Sequence, residues 1–393
     1  MLPRIAERPE FFFAQLGSGF FALRRARCGT HITVDLTPAA EKRTDTARLL
    51  SNAFDADTSL ALSLSIGLPT YNRAEHLDQM LASLVPQLDH RCELLIADDA
   101  SSDATADVIA KYAAGSPRIA WRQNTDNLGL DRNSLGLLGQ ARGDYFWLCA
   151  DDDIVLPGSL EKIYRALDQG PFSVLSLNTY VFRGTDYRQV YSRWAGLRAR
   201  GLERFARCDD HLRRVSFRLS FAPGNIVDGR AARAALLDPG LREFIGRGAY
   251  GFAYLYVVLA VLGGAAPSAL LREPCIAQRW VDGGRTSLLT FGYTLPRLLE
   301  AFAGRYSRRA VRQVINHGLL RQLLPALLYV RLGGEAQEPL EKMRTLLMRG
   351  YRSYPLFWLL VAPALVFPPG SLRPLFPLLR ALRRRWEGVQ AWS

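Results

Sequence analysis

Residues 151–153 are three consecutive aspartates, preceded by the largely apolar run DYFWLCA and followed by IVLPG. Adjacent carboxylates repel, and removal from water makes each one harder to keep ionised. Such a cluster at the mouth of a buried strand calls for a cation or a charged ligand. The plainer reading is an acidic turn capping the helix that follows. Two other polar clusters also end apolar runs: PTYNR at 69–73 and DDASSD at 98–103. The first turn, GLPTYNR, has neither the G-x-G-x-x-G of a dinucleotide cradle nor the lysine of a P-loop. A diphosphate bound here would need something other than backbone amides to neutralise it. Mg²⁺ or Mn²⁺ does this well, sharing phosphate oxygens with one or two carboxylates.

The elements that must position these clusters alternate. LALSLSIGLP, CELLIADD, RIAWRQN, DYFWLCA and FSVLSLNTYVF read as strands. Between them, RAEHLDQMLASLV, SSDATADVIAKYAAG, DRNSLGLLGQARG and PGSLEKIYRAL read as helices, with Ser/Asp starts, Gly stops and an early proline at 157. Asp103 reads as one of these caps. Strands alternating with helices at this spacing predict an α/β fold with a doubly wound, mostly parallel sheet. Ligands bind beyond the carboxyl ends of such strands, so the three polar clusters should converge on one crevice.

Three segments, SIGLPTYNRAEHLDQMLASL, LLIADDASSDATADVIAKYA and NTDNLGLDRNSLGLLGQARGDYFWLCADDDIVLPGSLEKI, together resemble the N-terminal half of a family 2 glycosyltransferase of the GT-A fold. The wording ADDASSD, NLGLDRN and DDDIVLPG is most similar to the abequosyltransferase-like branch, which works on bacterial surface polysaccharides. The resemblance covers about Leu60 to Leu167. It implies that Pro69, Tyr71 and Arg73 lie beside the nucleobase and ribose, and that Asp98, with Asp99 next to it, hydrogen-bonds the base. Asn127, Gly129, Arg132 and Asn133 would lie near the nucleotide sugar. Asp151, Asp152 and Asp153 occupy the D-x-D region that binds ribose, diphosphate and a divalent metal. Aligned on IVLPG, the first Asp of the relatives' D-x-D-D falls on Ala150 and makes Asp152 the main ligand; counted within the triplet, D-x-D is Asp151 and Asp153. Relatives of the commoner type supply a catalytic base from an E-D pair in the second half. None is present here. Glu243 is the nearest carboxylate, followed by Asp228 and Asp282. Gln278, Arg279 and Trp280 are contiguous, which is the wrong spacing for the Q-x-x-R-W of processive relatives. Arg279 or Arg285 suits a leaving diphosphate.

The implied organisation is an extension at 1–58, a glycosyltransferase domain at 59–295 (donor half 59–182, acceptor half 183–295) and a basic, apolar helical region at 296–393. Net charge is +13, and residues 301–393 hold 15 Lys+Arg against 4 Asp+Glu. The excess is local, which argues against a uniformly basic nucleic-acid binder. The stretch Tyr354–Gly370 and the arginines at 380 and 383–385 pair apolar bulk with cationic charge. This is the pattern of binding to an anionic membrane surface. Residues 249–271 carry no charge until after Leu271, but Gly263, Gly264 and Pro267 interrupt them, so a buried helix near 250–262 is expected rather than a span. Five scattered cysteines form no C-x-x-C pair and point to a reducing compartment.

The expected function is transfer of a single sugar from a nucleotide-diphosphate sugar to a glycan or polyprenyl-linked acceptor, assisted by Mg²⁺ or Mn²⁺. The expected location is cytoplasmic, peripheral on the inner face of the cell membrane. The alternative is a non-catalytic relative that binds or assembles glycans, which the displaced D-x-D and the missing E-D pair keep open.

Overall fold

The computed structural model describes residues 12–16, 19–23, 63–193, 200–248, 251–280, 288–331, 339–368 and 371. The region read as an unpatterned extension contains a hairpin, β1 (Phe12–Leu16) and β2 (Gly19–Leu23), antiparallel with Phe12 opposite Leu23. The glycosyltransferase-like segment then builds β3 (Leu64–Thr70), α1 (Ala74–Leu84), β4 (Cys92–Asp98), α2 (Thr105–Ala114), β5 (Ile119–Gln123), α3 (Leu130–Gln140), β6 (Tyr145–Leu148), β7 (Ile154–Val155), α4 (Ser159–Leu167) and β8 (Val174–Arg183). Later come β9 (Val190–Arg193), β10 (Leu202–Phe205), α5 (Cys208–Val215), β11 (Asn225–Asp228), α6 (Gly229–Ala235), α7 (Pro239–Gly246), α8 (Ala253–Leu262) and β12 (Ser268–Trp280).

One sheet joins the strands in the order β10-β12-β8-β11-β6-β3-β4-β5, with β7 paired to β12 and β9 to β8. β3 runs parallel to both β4 and β6, β4 to β5, and β12 to β8. The expected parallel sheet is present but mixed. β11 enters between β6 and β8 antiparallel to both, and β10 pairs antiparallel with β12. The central strands are buried on both faces, and their residues alternate between two cores. Tyr145 and Trp147 face one, with Leu77, Leu81 and Ile163 of α1 and α4. Phe146 and Leu148 face the other, with Leu137 of α3 and most of α8. Gly67 is required by this packing: a Cβ there would lie 2.7 Å from the Phe146 ring.

α8 is buried along nearly its whole length, and the chain turns after Leu262 into β12. No helix among the described residues is long and apolar enough to cross a membrane. Beyond β12 the chain is helical, as expected: α9 (Leu295–Ala301), α10 (Arg308–Gly318), α11 (Leu324–Arg331), α12 (Leu340–Gly350) and α13 (Ala362–Val366). Three widened π turns, at Thr290–Thr294, Leu319–Leu323 and Phe357–Val361, each end two residues before a proline: Pro296, Pro325 and Pro363. A proline ring clashes with the carbonyl four residues back, and widening that turn relieves the clash.

Candidate active site

Register brings the polar clusters together. Thr70, the last residue of β3, pairs with Asp98 of β4, and Asp98 pairs with Gln123 of β5. On the other side of β3, Gly67 pairs with Leu148, the last residue of β6. The turns at 71–73, 99–103 and 149–153 therefore leave one edge of the sheet side by side. Side chains join them: Thr70 Oγ1 donates to Asp151 Oδ2 at 2.8 Å. Arg73 Nη1 donates to Asp152 Oδ2 at 3.0 Å and lies 3.8 Å from Asp151 Oδ1.

All three aspartates are buried. Burial, then the neighbouring Asp152 charge, pushes the Asp151 carboxyl up to about 7, although Arg73 and Thr70 act against the rise. Burial and Asp152 also hold the Asp153 carboxyl well above the usual range. Asp153 Oδ1 accepts the Arg279 backbone N–H at 2.9 Å, while its buried Oδ2 has no hydrogen-bond partner. The ionised form of the acidic turn is thus not fully offset by its surroundings, and a cation would favour that form over the protonated one. Among the described residues, no group of three or more His, Cys, Asp or Glu side chains is arranged to hold a metal by itself. A divalent ion bound by Asp151 and Asp152 would complete its shell with phosphate and water oxygens, as Mg²⁺ ordinarily does. The residues fit such an ion. Asp153 serves at the same time as a tie to β12.

Arg279, considered from sequence as a partner for the leaving diphosphate, is committed to the scaffold. Nε donates to the Asp152 carbonyl at 2.9 Å, Nη1 to the Gly184 carbonyl and Nη2 to Gln79 Oε1, each at 2.6 Å. Its guanidinium lies 4.6 Å from the centre of the Phe182 ring. Arg285 and Asp282 lie outside the described residues. The pKa of His76, on the first turn of α1, is lowered by burial first and by Arg279 and Arg73 next, while Asp152 and Glu75 act against the fall.

On the β4 side, the two carboxylates have different partners. Asp98 Oδ1 accepts from the Ser101 N–H and hydroxyl, and Oδ2 from Gln123 Nε2 at 2.8 Å. Asp99 binds the neighbouring loop: Oδ1 accepts from Asn124 Nδ2 at 2.7 Å and from the Leu128 N–H at 2.8 Å, and Oδ2 from the Gly129 N–H at 2.8 Å. Gly129, at φ 82°, opens α3 in a conformation that side chains disfavour. Asn133 is turned inward. Its Nδ2 donates to the Ala97 carbonyl at 2.8 Å, and its Oδ1 accepts from Asn124 and Arg122. It holds the loop in place through β4. Asn127 is exposed and caps the Gly129 N–H, and Arg132 is exposed. Pro69 is buried at the end of β3, and Tyr71 is half-buried beside it.

The expected base does not join this cluster. Glu243 is exposed on α7 and pairs with Arg247 one turn on. It shares no hydrogen bond or ion pair with the acidic turn among the described residues. Helical i,i+4 spacing gives it a partner in its own helix. Asp228 caps α6 by accepting from the Ala231 N–H at 2.7 Å. Sequence reading placed Thr70 in its cluster without a role of its own and missed Gln79 and Asp131. Asp131 accepts from the Gly251 and Ala253 N–H groups at 2.9 and 3.0 Å, fastening α3 to the start of α8. An Asp in the first turn of a helix ordinarily signals a local cap, so nothing in the sequence pointed to a partner so distant in the chain.

The model of the family described as Glycosyl transferase family 2 matches residues 65–221. Abequosyltransferase RfbV of Salmonella typhimurium is 37% identical over 108 residues, covering 27% of this chain and 32% of that protein. The GalNAc(5)-diNAcBac-PP-undecaprenol beta-1,3-glucosyltransferase of Campylobacter jejuni is 31% identical over 108 residues, covering 27% of this chain and 35% of its own. The chain spans about a third of the length of these curated relatives. Among solved structures, S. aureus TarS 1-349 in complex with UDP aligns with a TM-score of 0.54 at 18% identity, over 81% of this chain and 87% of that one. At that identity the likeness is one of fold.

Proposed function

We propose that the protein, whose residues 65–221 match the model of glycosyl transferase family 2 and whose fold resembles that of TarS, transfers a single sugar from a nucleotide-diphosphate sugar to a glycan or lipid-linked acceptor in bacterial surface polysaccharide synthesis. The observation that carries this reading is the junction of Thr70 and Arg73 with Asp151 and Asp152 beyond the strand ends. It supplies a cation and excess carboxylate oxygens in one place, which a donor diphosphate and its metal need together. In this reading, residues 59–182 hold the donor, 183–295 shape the acceptor side and 296–393 lie at the inner face of the membrane. The polysaccharide context rests on what the relatives' names state for those proteins, including an undecaprenol-linked acceptor.

The chain's own groups divide the work. Pro69, Tyr71 and Asp98 border the space proposed for the nucleobase. Asp99 holds Leu128 and Gly129 so that the loop over the donor sugar keeps one shape. Arg73 is drawn toward the phosphates as they arrive, because phosphate competes well for a guanidinium. Asp151 and Asp152 would hold Mg²⁺ or Mn²⁺, whose role when bound is to stabilise the negative charge of the departing diphosphate. Water is limited by the buried setting of the acidic turn, which strengthens each of these interactions.

A thermal-shift screen against UDP-, GDP-, CDP- and dTDP-sugars, with and without Mn²⁺, tests the proposal. At least one donor should stabilise the protein, and more strongly with the metal. Slow donor hydrolysis should accompany it and vanish in Asp152→Ala. Stabilisation by no nucleotide-sugar would remove the reading. Donor binding with neither hydrolysis nor transfer would favour the non-catalytic alternative.

A further inference from the structure

The C-terminal helices leave an apolar patch uncovered. Leu359 is 70% exposed, and Phe367, Tyr329, Val366 and Trp358 lie between 44% and 52%. Their neighbours Phe357, Val361 and Leu365 are buried, so these short helices have one face committed to the core and the other presented outward. Arginine residues adjoin the patch, Arg331 by its side chain and Arg352 by its backbone. The Trp358 indole donates to the Arg352 carbonyl at 3.2 Å, and Arg331 donates to the Phe367 carbonyl. Arg312 donates to the Ser353 carbonyl at 3.3 Å, beside Arg352. An exposed apolar face of this kind marks a binding surface.

The charge decides the occupant. A second copy docked on the same patch would bring arginine against arginine. Residues 372–393 carry five arginines against one glutamate, so this segment cannot neutralise the rim either. We infer that the face formed by Tyr329, Trp358, Leu359, Val366 and Phe367 docks on an anionic lipid bilayer, with the apolar side chains entering the acyl boundary and Arg331 and Arg352 at the headgroups. Trp and Tyr are suited to that boundary, being apolar in body and polar at one end. This deepens the proposed work at a membrane by naming the docking face, and its test needs no donor or acceptor.

The full-length protein should co-sediment with phosphatidylcholine vesicles containing phosphatidylglycerol and not with phosphatidylcholine alone. High salt should release it. Leu359→Glu combined with Trp358→Ser should weaken vesicle binding at least about tenfold, and Arg352→Gln about threefold to fivefold at low salt. Both variants should keep the wild-type melting temperature and donor-induced thermal shift, which separates this inference from the transferase reading. Undiminished vesicle binding by the double variant would overturn it. So would a change from dimer to monomer on size exclusion, or failure of the wild type to bind anionic vesicles.

Discussion

The two flanks of the sheet use their polar residues in opposite ways. On the β3–β6 flank, buried carboxylates gather at strand ends and reach across to neighbouring turns, as Asp151 does to Thr70 and Asp152 to Arg73. On the β8–β11 flank, buried polar groups lie under the sheet and bond to one another. Ser176 joins His211 Nε2 at 2.8 Å and Asn225 Oδ1 at 3.0 Å, and the His211 ring packs 4.8 Å from Phe205. The first arrangement leaves carboxyl groups incompletely offset at the strand-end edge of the sheet. The second involves neutral groups, Ser176, Asn225 and a histidine that burial keeps uncharged, and their bonds to one another hold the interior together. Burial alone therefore does not mark a site; what marks it is buried charge that the protein leaves without full compensation.

That contrast can be broken most sharply at Asp152. Asp152→Asn keeps the shape and removes the charge facing Arg73, so transfer or donor hydrolysis should fall about 10³-fold, with a melting temperature close to wild type. Retained activity would make the acidic turn a structural cap. Asp99→Ala comes next. It strips the acceptor from Asn124 and from the Leu128 and Gly129 N–H groups. Chemical denaturation should report a loss of about 3 kcal/mol, and donor titration an affinity about tenfold weaker. A stability loss with unchanged donor affinity would remove the loop from the donor site.

The opposite flank should respond to pH instead of substrate. Burial lowers the His211 pKa from 6.5 to about 3 and that of His317 to about 4. The unfolded chain therefore binds the extra protons. Stability is fully present above pH 6.5 and declines as pH falls toward the folded values, each histidine accounting for about 2 kcal/mol at pH 5. The Asp151 carboxyl, raised to about 7, acts in the opposite sense over this range, so melting curves read the histidine effect by comparison: between pH 7.5 and pH 5 the wild type should lose about 2 kcal/mol more than His211→Gln. The smallest effect belongs to Glu243→Gln, which should alter turnover less than about twofold because its partner is Arg247 on the same exposed helix face. A large loss in that variant would return Glu243 to the mechanism.

The edge where the polar clusters meet was legible in the sequence because its elements follow local rules. A central parallel strand is a continuous apolar run, it ends where polar residues begin, and all such ends in a doubly wound sheet share one edge. Pro69–Arg73, Asp98–Asp99 and Asp151–Asp153 could be gathered by that logic before any coordinate was known. What each residue does there was not legible, because it depends on partners far along the chain. Asn133 turns inward to Ala97, Asp131 fastens α8, and Arg279 reaches Asp152, Gly184 and Gln79 at once. The antiparallel entry of β11 was likewise invisible, since a four-residue strand carries no signal of its direction. Sequence by itself determined the α/β class, the crevice edge and the identity of the residues on it, because strand period and turn chemistry are local. Only the tertiary structure decided which charges stay uncompensated, since compensation is a matter of distance in space.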